Sequence, residues 1–248
     1  MPAPRRNKDS RVSSGKQPPP AERIAIYGEG GIGKTTLVSL ADSPLIIDLE
    51  QGSMNVEVDR VADIETYDDL LATMRDADLL APYKTVAVDS GTVVQSLAVD
   101  HVCKKNSWAS IEQPGFGKGY RHVYDAFMAF LQAGDAIVKG GRDFVLICHS
   151  TTERVPNPSG DDFLQYQMAL MNTGQTARIR DAVKSWADHM LFMRHDFTVD
   201  DKGKAKTGGR RIWPQGDASF WAKSRSLRKS ISAEEGSRKL WDALKETA

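Results

Sequence analysis

Residues Gly28-Glu29-Gly30-Gly31-Ile32-Gly33-Lys34-Thr35 follow directly on an apolar run, Ile24-Ala25-Ile26-Tyr27. The spacing is that of a Walker A phosphate loop, and its place after a strand and before a helix is the context the motif requires. Glycines let the backbone curl so that several N–H groups point inward at a β-phosphate, and the helix that starts near Lys34 adds the positive end of its dipole. Lys34 is expected to neutralise β- and γ-oxygens, and the Thr35 hydroxyl to ligate Mg²⁺. The expected nucleotide-binding set is Gly28, Glu29, Gly30, Gly31, Ile32, Gly33, Lys34, Thr35 and Thr36, with ATP and Mg²⁺ as the cofactors.

At 248 residues the chain suits one α/β domain with extensions. It has no apolar run of the eighteen or so residues a membrane span needs, and its first residues lack the apolar core of a secretory signal. Two cysteines make neither a disulfide framework nor a metal cluster, so a cytoplasmic setting is expected, that of a host cell if the chain is phage-encoded. The 33 basic and 33 acidic residues cancel, but unevenly. Residues 42–100 hold thirteen acids against three bases, whereas 202–229 hold nine bases against Asp217 alone. The basic stretch reads either as solvated surface or as a patch facing phosphates.

Residues 1–21, rich in Pro, Ser, Lys and Arg, read as a disordered basic tail. Buried strands are expected at 23–27, 44–48, 84–89, 143–148 and 186–197, with helices at 66–77, 92–105 and 120–139 between them. Strands alternating with helices argue for a mostly parallel central sheet flanked by helices. Residues 210–221 read as an antiparallel hairpin turning at Pro214-Gln215-Gly216-Asp217, and the segment 231–248 as a C-terminal helix. The stretch 151–176, with Pro156, Pro158 and Gly160, reads as a long irregular loop.

Several strand ends carry chemistry. Asp89 closes Val86-Ala87-Val88 as a Walker B carboxylate would, holding Mg²⁺ beside Thr35. The plain alternative is a cap for the next helix. Asp48-Leu49-Glu50 follows the second strand, where a carboxylate can orient and deprotonate a water, or can be ordinary acidic surface. His149 ends the fourth strand and reads as a sensor of the γ-phosphate or as a structural histidine.

Taken in order, these residues resemble the RecA-like P-loop ATPases, in particular a compact phage branch described as AAA-domain ATP-binding proteins. Some members of that branch act as single-strand annealing recombinases. Gly117-Lys118-Gly119-Tyr120, His149-Ser150, Trp186-Ala187-Asp188 and Trp221-Ala222-Lys223-Ser224-Arg225 carry the likeness, which spans about 22–230. The resemblance implies that Glu50 is the catalytic base and His149 the sensor. It also implies that Lys223 and Arg225 reach across a subunit interface to a neighbour's γ-phosphate, although a basic edge strand would look the same. A ring or filament with ATP between subunits follows, as do single-stranded DNA and a single-strand binding protein as partners. Lys104, Lys105, Lys118, Arg154 and Arg178 are then phosphate contacts, with Trp108, Phe116, Phe163 and Tyr166 as stacking faces. The alternative is a nucleotide-switched accessory protein such as a helicase loader.

Overall fold

The computed structural model describes residues 21–157, 160–175, 177–199, 201 and 203–246, so most of the tail expected at 1–21 lies outside the described residues. Its strands are β1 (Arg23–Gly28), β2 (Pro44–Asp48), β3 (Asp59–Val61), β4 (Thr85–Asp89), β5 (Asp143–Val155) and β6 (Phe163–Met168). They continue as β7 (Asn172–Thr173), β8 (Ala177–Arg178), β9 (His189–Val199), β10 (Ala205–Trp213), β11 (Lys223–Ser224) and β12 (Ile231–Ser232). The helices are α1 (Lys34–Ser39), α2 (Tyr67–Arg75), α3 (Ala77–Leu80), α4 (Gly91–Asn106), α5 (Lys118–Lys139), α6 (Ile179–Trp186) and α7 (Lys239–Glu246).

The main sheet runs β12-β10-β9-β1-β5-β4-β2-β3, parallel from β9 through β3, with β10 and β12 added antiparallel. This is the mostly parallel α/β core expected. Alternation along each strand divides the burial between two layers. Tyr27, Ile47, Val88, Leu146 and Phe192 face α2, α4, α5 and α6, whereas Ile26, Ile46, Ala87, Ile147 and Leu191 face α1 and α7. Thr66 caps α2 as its sequence implies, accepting from the Asp69 N–H.

Four expectations change. The C-terminal hairpin is made by β9 and β10 and turns near residue 201, not at 214–217. Residues 214–222 instead form a loop closed by Gly216 N–H to Ala222 O and Asp217 N–H to Phe220 O, which delivers β11 back onto β9. The segment 151–176 is no irregular loop: β5 runs on through the β-branched Thr151, Thr152 and Val155, and β6 returns antiparallel beside it. The strand expected at 186–197 begins only at His189, because Ile179–Trp186 is a helix that carries Ile179 and Val183 into the core. Finally, 231–248 is not helical throughout, because Ile231 and Ser232 pair with β10 before α7 begins at Lys239.

Candidate functional site

Parallel pairing with β1 stops at one level, past which β5 and β9 run on, and the charged residues gather at that level. Gly28 ends β1 level with Met193 of β9 and His149 of β5. A side chain at Gly28 would place its Cβ 2.2 Å from the Met193 carbonyl oxygen, so only glycine lets the two backbones approach here. Beyond it the chain turns through Gly31 (φ 74°) and Gly33 (φ 99°), left-handed conformations suited to glycine, and enters α1 at Lys34. Nothing lies within 4 Å of a Cβ placed at Gly30 or Gly31, so the loop opens to solvent above its backbone.

Lys34 is buried, and its Nζ donates to the carbonyls of Gly28 (3.0 Å) and Glu29 (2.8 Å). Burial pulls its pKa below the usual lysine value against the nearby Asp89 and Glu50. A buried cation held only by carbonyls is well placed to exchange them for phosphate oxygens. Thr35 Oγ1 donates to Asp89 Oδ2 at 2.6 Å. Burial raises the Asp89 pKa while that hydrogen bond opposes the rise. The carboxylate is therefore turned toward the phosphate loop. Ser90, the residue at the N-cap of α4, makes no side-chain cap hydrogen bond either.

On the other side of β4, Asp48 shapes the loop that presents Glu50. Its carboxylate accepts from the N–H groups of Glu50, Gly52 and Ser53 and from the Ser53 hydroxyl, an Asx-type turn that folds 49–53 back over the end of β2. Glu50 then points inward. Ser90 Oγ donates to its Oε1, and His149 Nε2 lies 3.0 Å from both carboxylate oxygens. Three strand ends thus hold Glu50 in one orientation. Ser90 escaped the sequence reading; its place directly after the Walker B aspartate was the available signal.

The donor set fits a magnesium nucleotide. Thr35 and Asp89 supply two hard oxygens side by side, and Lys34 with the open N–H lining of the loop supplies the phosphate ligands. Lys223 and Arg225 lie elsewhere. Lys223 pairs with Met190 and Ser224 with His189, at the amino ends of β9 and β1 and so at the far end of the sheet from Gly28. Arg225 Nη2 is 2.9 Å from Asp188 Oδ1, yet its side chain remains 70% exposed. Burial and the charge of Arg225 lower the Lys223 pKa.

The residues expected on DNA divide. Lys104, Lys105 and Trp108 line a cleft of about 880 Å³ against α2. Phe116, Lys118, Arg154 and Arg178 are exposed, Arg178 paired with Asp181, and Phe163 is half-buried in β6. Tyr166 is not free to stack on a base, because its ring packs 5.2 Å from that of Phe192. A residue not singled out beforehand, Arg210, reaches the phosphate loop: its Nη1 lies 3.4 Å from the Ile32 carbonyl.

No curated protein matches the chain. A solved structure of a KaiC-like protein from the hyperthermophilic archaeon Pyrococcus horikoshii OT3 is similar at 11% identity, covering 87% of this chain and 86% of that one, with a TM-score of 0.43. Residues 21–226, nearly the whole span of the main sheet and its site, match the family described as the AAA domain. The chain belongs to this AAA-domain family, and the site at its strand ends is that of a P-loop NTPase.

Proposed function

We propose that the protein is a Mg²⁺-dependent ATPase of the RecA-like type whose hydrolytic site is completed by a second copy of the chain. The observation that carries this reading is the grouping of Lys34, Thr35 with Asp89, and Glu50 held by Ser90 and His149, along one sheet edge. Lys34 and the loop N–H groups bind and orient the phosphates. Thr35 and Asp89 hold the metal, which when bound supplies positive charge against the β- and γ-oxygens. Glu50 accepts the proton of the attacking water, its carboxylate fixed by two neighbours so that little reorganisation is needed. His149 does not end its strand as expected, since β5 runs on to Val155, but from the middle of β5 it touches both Glu50 oxygens and so lies where loss of the γ-phosphate would be felt.

Within one chain no basic residue from β11 is near this edge. Lys223 and the exposed Arg225 are instead presented at the opposite end of the sheet, where they are available to a neighbour's nucleotide in a ring or filament. On this reading an isolated subunit hydrolyses ATP slowly and single-stranded DNA, by ordering the assembly, accelerates it. Annealing of complementary strands in recombination or repair, with a single-strand binding protein as an accessory partner, is the corresponding task. Exposed Lys104, Lys105, Lys118 and Arg154 support DNA contact. Turnover with and without single-stranded DNA, measured beside sizing in an ATP analogue, tests the whole. No stimulation, no DNA binding and no assembly with ATP would overturn it. The trans assignment has its own test: Arg225→Ala mixed with Lys34→Ala should regain activity that neither has alone.

A second reading, a nucleotide-switched accessory such as a helicase loader, draws on two bare apolar side chains. Phe116 is fully exposed in the turn before α5, and Leu164 is 65% exposed on β6. Solvent-facing apolar groups suit a protein partner better than a phosphate backbone. A pull-down that recovers a replicative helicase, without annealing activity, would favour it.

A further inference from the structure

Among the described residues, Arg210 is the arginine brought against the phosphate loop from the β9–β10 side of the sheet. The register of β10 on β9 shifts between Thr207 and Arg210, where three steps on β10 match two on β9, so Gly208 and Gly209 form a bulge. A bulge re-aims the residues beside it. Arg210 O accepts from Ala233 N–H at 2.9 Å, which fixes the backbone on its other edge. The guanidinium is thereby set over Gly33: a Cβ at that glycine would meet Arg210 Nη1 at 2.5 Å.

A guanidinium has five N–H donors, yet the hydrogen bond of Arg210 among the described residues is the long one to Ile32. Arg23, Arg180, Arg211, Arg225 and Arg238 each pair with a carboxylate. Arg210 has no such ion pair among the described residues, although it is half-buried. Glu234 and Glu235 line the same small cavity as Arg210, yet neither forms an ion pair with it among the described residues.

The strand order says which part of a nucleotide it can meet. Asp89 and Glu50 follow β4 and β2, on one side of β1; Arg210 comes from β10, on the other. The γ-phosphate end lies toward the metal ligands and the base, so the α-phosphate and nucleoside extend toward β9 and β10. We infer that Arg210 binds the α-phosphate and nucleoside end of the nucleotide in cis, gripping what ATP and ADP share. The inference rests on the reading of the loop as a nucleotide site and deepens it. A nucleotide ligand at this place holds the product as firmly as the substrate.

The test uses the full chain with Mg²⁺ and fluorescent ATP and ADP as probes. Arg210→Ala should weaken both about tenfold to a hundredfold, the loss of a charged hydrogen-bonded contact, and to the same extent. Arg210→Lys, which keeps charge but not the two-pronged geometry, should recover part of that affinity for both. Nucleotide-free melting of each variant within a degree or so of wild type keeps the comparison meaningful, and Arg210→Lys serves if Arg210→Ala melts early. Unchanged ADP binding in the variants, with or without loss of ATP binding, would overturn the inference while leaving the loop assignment intact. Failure of the wild-type chain to bind either nucleotide would instead remove the reading on which it rests.

Discussion

The two ends of the central strands handle charge in opposite ways. At the amino ends, Asp188 gathers the backbone N–H and guanidinium of Arg23 together with Arg225, while Asp135 takes Arg23 and the Trp186 indole N–H. His189 is sealed between Ser224 and Glu22. At the carboxyl ends, Lys34 rests on carbonyls, Arg210 has no carboxylate, and Asp89 is held near a single hydroxyl. Burial alone would push both aspartates toward neutrality. Asp188 is nevertheless held below the ordinary carboxylate value by its arginines, whereas Asp89 stays above it. One end is a network in which Asp188 and Arg23 fasten β9 to β1, with Arg225 at its exposed rim. The other keeps its ionic partners for something that arrives later, and the unbalanced charge there costs stability that the first end helps to supply.

Mutations should separate the ends. Lys34→Ala should bring the largest change, a loss of nucleotide affinity on the order of a hundredfold or more by equilibrium titration, with no loss of melting temperature, because a poorly satisfied buried cation is removed. Glu50→Gln should keep nucleotide binding and lower turnover by about two to three orders of magnitude, the scale of general-base catalysis; near-normal turnover removes Glu50 from the mechanism. Trp241→Ala should cost about 3–5 kcal/mol in denaturant unfolding, as expected for a buried indole. Asp188→Asn should cost about 2–3 kcal/mol at neutral pH, leaving nucleotide affinity unchanged. The sign of its pH dependence is fixed by the lowered pKa: the stabilisation is present above about pH 5 and is lost as pH falls through the folded value, below the ordinary 3.8. The wild type should therefore lose stability between about pH 5 and 3 more steeply than Asp188→Asn. Arg225→Ala should be the mildest on folding, under about 1 kcal/mol, since its side chain is largely in water.

Much of this was legible in the chain because it is local. The loop from Gly28 to Thr35 is contiguous, and the apolar runs at 24–27, 45–47, 86–88 and 144–148 are buried strands, although the last of them runs on to Val155. β3 was illegible because Asp59-Arg60-Val61 is a short polar edge held only by β2. The hairpin was misplaced because Pro214 and Gly216 look like a two-strand turn, and the Asp201 and Gly203 that join β9 to β10 were passed over. Arg210 could not be read at all, and Ser90 only by its place after Asp89. Ser90 meets Glu50 across 40 residues, and Arg210 meets Ile32 across 178, the latter by way of a bulge that only strand pairing creates.

The indole N–H of Trp241 donates to the Leu37 carbonyl in the last turn of α1, and Leu240 and Leu244 pack on the same face. A six-residue helix is too short to persist alone. The helix that starts at Lys34 is therefore steadied by a segment some two hundred residues further along the chain. A chain cut before residue 239 would keep the phosphate loop and lack the surface that steadies it. Removal of residues from 239 onward should therefore weaken nucleotide binding, which equilibrium titration of the shortened chain would check.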